Sequence, residues 1–374
     1  MSWIRNGFLL GILFWCPASL AAVYVVAPDG SGDFPTIRHA IQAAVDGDVV
    51  ELLPGTYRGP GNRAIQFHGK AITVRSTSGD PTTCIIDCEE DTIGVYFREN
   101  EGRDTILQGV TITRGRSNAC GGVQVWPASP TIEDCRFIAN TSVNGPGGGA
   151  IRVLDSFPLI RNCHFEQNSS GLGGGGIWAD ANASVDIERC VFTRNFTESP
   201  FVSSGAVQLE GGVSSIGNCT FYANESDSGP GAVGIIFGAY CRMVSCTLAE
   251  NRGTTSTVLV FLDSSATIEN SILAFNSASA VQCWDANVQV SCSDIFGNAS
   301  GDWVSCLASQ LGSDGNIQAD PQFCGFPDDW SIYSSSPCAP ENSNGCGGIG
   351  AYPVGCDVVP VIQSSWGGVK SRFR

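Results

Sequence analysis

The chain has 374 residues, a formal charge of −16 and only three histidines. Asp and Glu number 36 against 20 Lys and Arg, with Lys70 and Lys370 the only lysines, and this acidic balance argues against a nucleic-acid binder, which needs clustered Lys and Arg against phosphate. A polyanionic glycan would also be repelled unless Ca²⁺ bridged the two, and the 46 glycines, well above the usual share of about 7%, point to many strands joined by tight turns.

The chain opens on Arg5, an apolar run from Phe8 to Trp15 and a small-residue exit at Ala18-Ser19-Leu20-Ala21-Ala22. This order predicts a secretory signal peptide over residues 1–22. The run is far short of the ~20 residues of a spanning helix, and no later stretch is long and apolar enough, so no membrane span is expected. Cys16 follows Trp15 where lipoprotein processing wants a small residue. Removing 1–22 takes away only Arg5, which moves the charge from −16 to −17. Disulfides are open to an exported chain.

Thr36 to Ala44 (TIRHAIQAA) reads as a short amphipathic helix covering the open edge of the first strands. VVELLPGTY (49–57) then enters those strands. The acidic run Asp87, Glu89, Glu90 and Asp91 suits a Ca²⁺ site or a solvated turn. Ca²⁺ is the one cofactor the sequence suggests.

A decad then recurs: TIEDCRFIAN (131–140), LIRNCHFEQN (159–168), DIERCVFTRN (186–195), SIGNCTFYAN (215–224), RMVSCTLAEN (242–251) and TIENSILAFN (267–276). Its cysteines are Cys135, Cys163, Cys190, Cys219 and Cys246, with Ser271 in sixth place, at spacings of 28, 27, 29, 27 and 25. Ile132 and Cys135 are both apolar but an odd number apart, so one strand cannot point both inward. A tight turn must separate them, at Asp134, Asn162, Arg189, Asn218, Ser245 and Asn270. Asn and Asp tolerate the left-handed backbone of such a corner.

Between the decads lie GGVQVW (121–126), GGAIRV (148–153), GGGIWA (174–179), GAVQLE (205–210) and GAVGII (231–236), which alternate as strands do. Each repeat thus holds three short strands and three turns. A unit this small cannot bury its own apolar face, so repeats must stack. The expected fold is all-β: a single-stranded right-handed parallel β-helix, with a short N-terminal capping helix and a Cys-rich C-terminal cap. The ladder cysteines are expected buried and reduced. Asn140, Asn168, Asn195, Asn224, Asn251, Asn276 and Asn298 are expected as turn residues, although several match the glycosylation acceptor pattern.

Parity also sets the outward rows. Val123, Val125, Ile151, Val153, Ile177 and Ala179 point inward, leaving one outward row of Gln124, Arg152, Trp178 and Gln208. A second row is Trp126, Leu154, Asp180 and Glu210, continuing to Ile236 and Phe261. Rings beside amides, a guanidinium and carboxylates suit an extended sugar chain. Asp180 and Glu210 sit on successive coils, ~5 Å apart. That spacing suits retaining glycoside hydrolysis, a Ca²⁺ site, or two idle surface carboxylates.

After residue 300 the repeat fades. Residues 301–357 carry Cys306, Cys324, Cys338, Cys346 and Cys356, the better disulfide candidates together with Cys84/Cys88 and Cys283/Cys292; spacing leaves their pairing open. Residues 358–374 end in a basic tail, either a sorting signal or a stub.

The stretch VVAPDGSGDFPTIRHAIQAA (25–44) with LLPGTY resembles the opening cap of the pectin-lyase-like superfamily, pectin methylesterases above all. The GGAI and FxxN tetrapeptides resemble those of polymorphic outer-membrane proteins. SDIFGNAS (293–300) is similar to the esterase stretch that carries a catalytic aspartate, which would make Asp294 a nucleophile. The family's Gln-Asp-Thr and Arg-Pro-Trp segments are missing, however, and Cys292 and Asn298 fall in the register of the repeat.

The chain is therefore expected to be a secreted or cell-surface β-helix that binds a polysaccharide or surface glycan, or acts as an adhesin, without catalysis. The alternative is a polysaccharide lyase or glycoside hydrolase working on the outward face. Nothing in the sequence sets an oligomeric state.

Overall fold

The computed structural model describes residues 21–326 and 329–356. Residues 1–20 of the leader expected over 1–22, and the expected tail at 358–374, lie outside the described residues. Each repeat contributes one strand to each of three long parallel sheets, of eleven, ten and nine strands. One coil shows the path. Leu159–Arg161 lies in the first sheet, His164–Glu166 in the second and Ile177–Ala179 in the third. The next coil begins at Asp186–Glu188, in register on Leu159–Arg161.

All six corner residues named from parity are left-handed, with φ between 49° and 54°. The second corner sits one residue earlier than expected. Its left-handed residues are Ala139, Gln167, Arg194, Ala223, Glu250 and Phe275, each just before the repeated asparagine. The asparagines themselves turn inward and are buried, from 0% exposed at Asn140 to 6% at Asn298. Each Nδ2 donates to the Oδ1 of the asparagine on the next coil, from Asn140 through to Asn298. At the end Asn298 donates to Asp302, at 2.8 Å. A second proton of each amide goes to a backbone carbonyl of the preceding coil, as from Asn168 to Phe137. Every amide is thereby satisfied without water, which buried amides require. Burial also closes these asparagines to glycosylation.

Beside them Phe137, Phe165, Phe192 and Phe221 stack with ring centres 4.9, 4.5 and 4.8 Å apart. The five decad cysteines are buried and free. Each thiol donates to the carbonyl two residues back, at the corner, as Cys135 does to Glu133 at 3.1 Å. Ser271 makes the same bond to Glu269, which explains how serine takes the sixth place.

A fourth, five-stranded sheet of two-residue strands, from Arg116–Ser117 to Glu225–Ser226, was not foreseen. It stacks the residues just after the asparagines.

The helix spans Ile37–Ala43 and buries Ile37, Ala40 and Ile41 against the first coil. Lys70 Nζ closes its C-terminus on the carbonyls of Ile41, Gln42 and Ala44, where a cation is favoured. At the other end three disulfides form: Cys283–Cys306, Cys292–Cys346 and Cys324–Cys356. The first two tie the last coils to the closing segment. That segment folds back along the outside of the second sheet, burying Ile332, Cys338, Ala339 and Ile349 against Ile272 and Ala274.

Three cysteines expected to pair do not. Cys84 and Cys88 are free and fully buried. They pack into the core of the early coils as small apolar side chains, as the decad cysteines do further on. Cys338 is free as well, its thiol 3.3 Å from Asp294 Oδ2.

Candidate functional site

The third sheet carries the outward rows. Gln124, Arg152, Trp178 and Gln208 stand in register on four consecutive coils, and the six inward residues are all buried. Parity therefore placed the row correctly but not its accessibility. Trp178 is 5% exposed and Gln208 only 2%. Leu172, Phe201 and Val202, from the turns that precede the sheet, rise beside this stretch. The Gly-rich turn also comes close. At Gly173, with φ +118°, a Cβ would lie 2.9 Å from the Trp178 ring, so only glycine lets the turn pass there.

What remains open is a groove of about 470 Å³. Trp178 forms its floor. The Arg152 guanidinium sits 5.2 Å from the Trp178 ring centre, and its buried Nε has no acceptor. Glu210 Oε1 accepts from Trp178 Nε1 at 2.9 Å and from Gln208 Nε2 at 2.7 Å. The far wall is Ile236, Phe237 and Phe261. Glu210, Ile236, Phe261 and Trp284 follow one another in register, so the second outward row runs one coil past its expected end. Phe261 meets Phe237 and Trp284 edge-on, at 6.5 and 5.8 Å. Phe201, Phe237 and Trp284 are 68%, 54% and 52% exposed.

Sequence reading missed Phe201, Phe237 and Trp284. For Trp284 the signal was present, because VQCWDA (281–286) continues the alternation with Val281 inward and Trp284 out. Phe201 and Phe237 sit in turns, where parity gives no direction.

The remaining candidates lie elsewhere. Trp126 does not reach the groove. It stands at the corner between the third and first sheets, 48% exposed, with Nε1 donating to Asp155 at 3.0 Å. Asp180 does not share partners with Glu210. Its Oδ1 accepts the backbone N–H groups of Asp155 and Asn182, which holds that corner in shape.

The acidic run is an ion-pair network. Asp87, 3% exposed, accepts from Arg58 and Arg114. Glu89 and Asp91 both pair with Arg63. Burial alone would raise the Asp87 carboxyl. Hydrogen bonds from Arg114, the Glu89 amide and Arg58 outweigh it and hold the group below the usual carboxylate range. Three of the four carboxylates expected for Ca²⁺ thus face guanidinium groups.

Asp294 is fully buried beneath the closing segment, accepting from Ala319 N at 3.0 Å and from the Cys338 thiol. Burial pushes its carboxyl up to about 7. No substrate reaches it in this structure, so the nucleophile reading fails on access.

A family model described as right-handed β-helix region matches residues 61–192 and 160–317. No curated protein matches the chain. Among solved structures it is similar to the pectate lyase Pel9A, at 16% identity over 90% of this chain and 97% of that one, with a TM-score of 0.49. It is similar to a rhamnogalacturonan lyase at 13% identity, covering 82% and 92%, with a TM-score of 0.48. A pectin methylesterase from carrot shares 13% identity, covering 73% and 89%, with a TM-score of 0.39.

Proposed function

We propose, for a chain that belongs to the right-handed β-helix family, that it binds an extended carbohydrate outside the cell and does not cleave it. The observation that carries this reading is the groove over Trp178 continuing through the half-buried Phe261 to the exposed Trp284. Aromatic faces pack against the apolar faces of sugar rings. Coils stacked ~4.8 Å apart repeat those faces along the helix axis, which suits a polymer lying across the coils. Arg152 and Glu210 supply donors and an acceptor for hydroxyls.

Binding without turnover rests on the carboxylates. Among the described residues lining the groove, Glu210 is the single acid, and it already accepts two hydrogen bonds. Glycoside hydrolysis ordinarily takes a pair. Export rests on the leader-like residues 1–22 and on the three disulfides, which suit an oxidising compartment. The division into leader, helix over 23–300, closing segment over 301–357 and basic tail over 358–374 is part of the same proposal.

The test is a panel of polysaccharides in affinity electrophoresis, run beside assays for reducing ends and unsaturated products. Trp284→Ala and Phe261→Ala should each weaken binding by ~1–3 kcal/mol, as for aromatic anchors at interfaces. Product formed in proportion to protein would replace binding by catalysis, and wild-type affinity in both variants would misplace the site.

A further inference from the structure

Beside Trp126 the same corner carries a second, shallow and open recess of about 420 Å³, apart from the groove and with no lining residue in common. That volume falls in the ~300–1,000 Å³ range of small-ligand sites. We infer that this corner pocket is a separate binding site for a single neutral sugar ring. The inference does not rest on the groove.

The pocket combines one open aromatic face with uncharged hydroxyl and amide groups. Phe157 is 45% exposed. The Arg103 guanidinium covers it from one side, 4.8 Å from the ring centre, and is held there by Asp186. That contact covers part of the ring, and the exposed remainder offers a platform for C–H groups. Around it, Ser129 accepts from Phe157 N and Ser184 accepts from Val213 N. Both hydroxyl protons are left to donate. Asn182 gives its Nδ2 to Asp155 at 2.8 Å, which points its amide oxygen away as an acceptor. Asp155 takes Trp126 Nε1 on its other oxygen, and Asp180 buttresses both turns from below through their amide N–H groups.

The chemistry selects the ligand. Two hydroxyl donors, an amide acceptor and spare lone pairs on Asp155 match the alternating hydroxyls of a pyranose. The one cation beside the pocket, Arg103, is already paired with Asp186, and the one lining carboxylate, Asp155, is shared by two donors, so an acidic sugar gains little here. The backbone is preset as well: Asp155 is left-handed, at φ 43°, and is fixed by bonds to two neighbouring coils. Preorganisation of this kind lowers the ordering cost of binding.

The experiment is saturation-transfer NMR on the full exported chain with four probes, the methyl glycosides of glucose, galactose, mannose and xylose. At least one should receive transfer. Phe157→Ala should abolish it or weaken affinity about tenfold or more. Asn182→Ala, at an exposed turn where folding is not at stake, should do the same. Trp284→Ala should leave it intact while weakening polymer binding, which separates this site from the groove. Transfer to none of the four glycosides overturns the inference. So does undiminished transfer in both corner variants.

Discussion

The middle coils and the closing segment are held together in opposite ways. From residue 131 to 298 like stacks on like: Asn on Asn throughout, Phe on Phe as far as Phe221 and thiol above thiol as far as Cys246. No disulfide occurs there between the five decad cysteines. The closing segment has no repeat and lacks a ladder, and all three disulfides involve it. Regular stacking satisfies each coil's polar groups through its neighbours, so chain order itself supplies cohesion. An irregular flap buries little apolar surface of its own, and covalent ties limit its unfolded freedom instead.

Four measurements test this contrast. Phe192→Ala should cost most, about 3–5 kcal/mol in urea unfolding, because it opens a void between Phe165 and Phe221 that neither flanking coil can close. Loss of Cys292–Cys346 through paired serine substitutions should cost about 2–4 kcal/mol. Hydrogen exchange should place that loss in the closing segment and spare the middle coils; exchange rising equally in both would break the contrast.

Asp294→Asn tests the same boundary by pH. The folded carboxyl titrates near 7, against a usual value of 3.8. A raised pKa stabilises fully below the unfolded value and loses that contribution as pH rises through the folded one. The wild type should therefore weaken between about pH 4 and 7, by roughly 2 kcal/mol or more. The Asn variant should show a flatter profile over that window in pH-dependent melts, with the gain confined to the closing segment. Cys246→Ser should have the smallest effect, about 1 kcal/mol or less, because Ser271 and Ser293 on the next two coils already donate to the equivalent corner carbonyls. Burial pushes the Cys246 thiol up to about 12, so alkylation of the native protein should leave it unmodified.

The fold was legible wherever a residue's role depends on its neighbours within one repeat. The corner at Asp134 and its five equivalents follows from parity alone. So do the inward positions of the third sheet and the outward row from Gln124 to Gln208. The asparagines were misread by one residue, since sequence shows that a turn and an asparagine coincide but not which of two adjacent residues takes the left-handed backbone. Asn was assigned the turn on propensity. Tertiary hydrogen bonding between coils claimed its side chain instead. Trp178 shows the other limit: parity says which face a side chain takes, while its exposure depends on Phe201 and Val202, whose turn obeys no alternation. Cys84 and Cys88 were misjudged because the early coils lack the decad, so nothing in their spacing marked them as core.

The asparagine ladder gives the molecule a polarity that its sheets do not. All seven side-chain amides point the same way, each sending one N–H toward the C-terminal end while the other bonds a carbonyl of the preceding coil, and chained hydrogen bonds polarise one another. The column is therefore a long dipole, positive where it stops at Asn298. There Asp302 receives Asn298 Nδ2 and the backbone N–H groups of Gly297 and Asn298, as an anion does at the N-terminus of an α-helix. A coil inserted anywhere within the column would extend the dipole and still end on the same carboxylate. Growth of such a solenoid by duplication thus needs no new terminator.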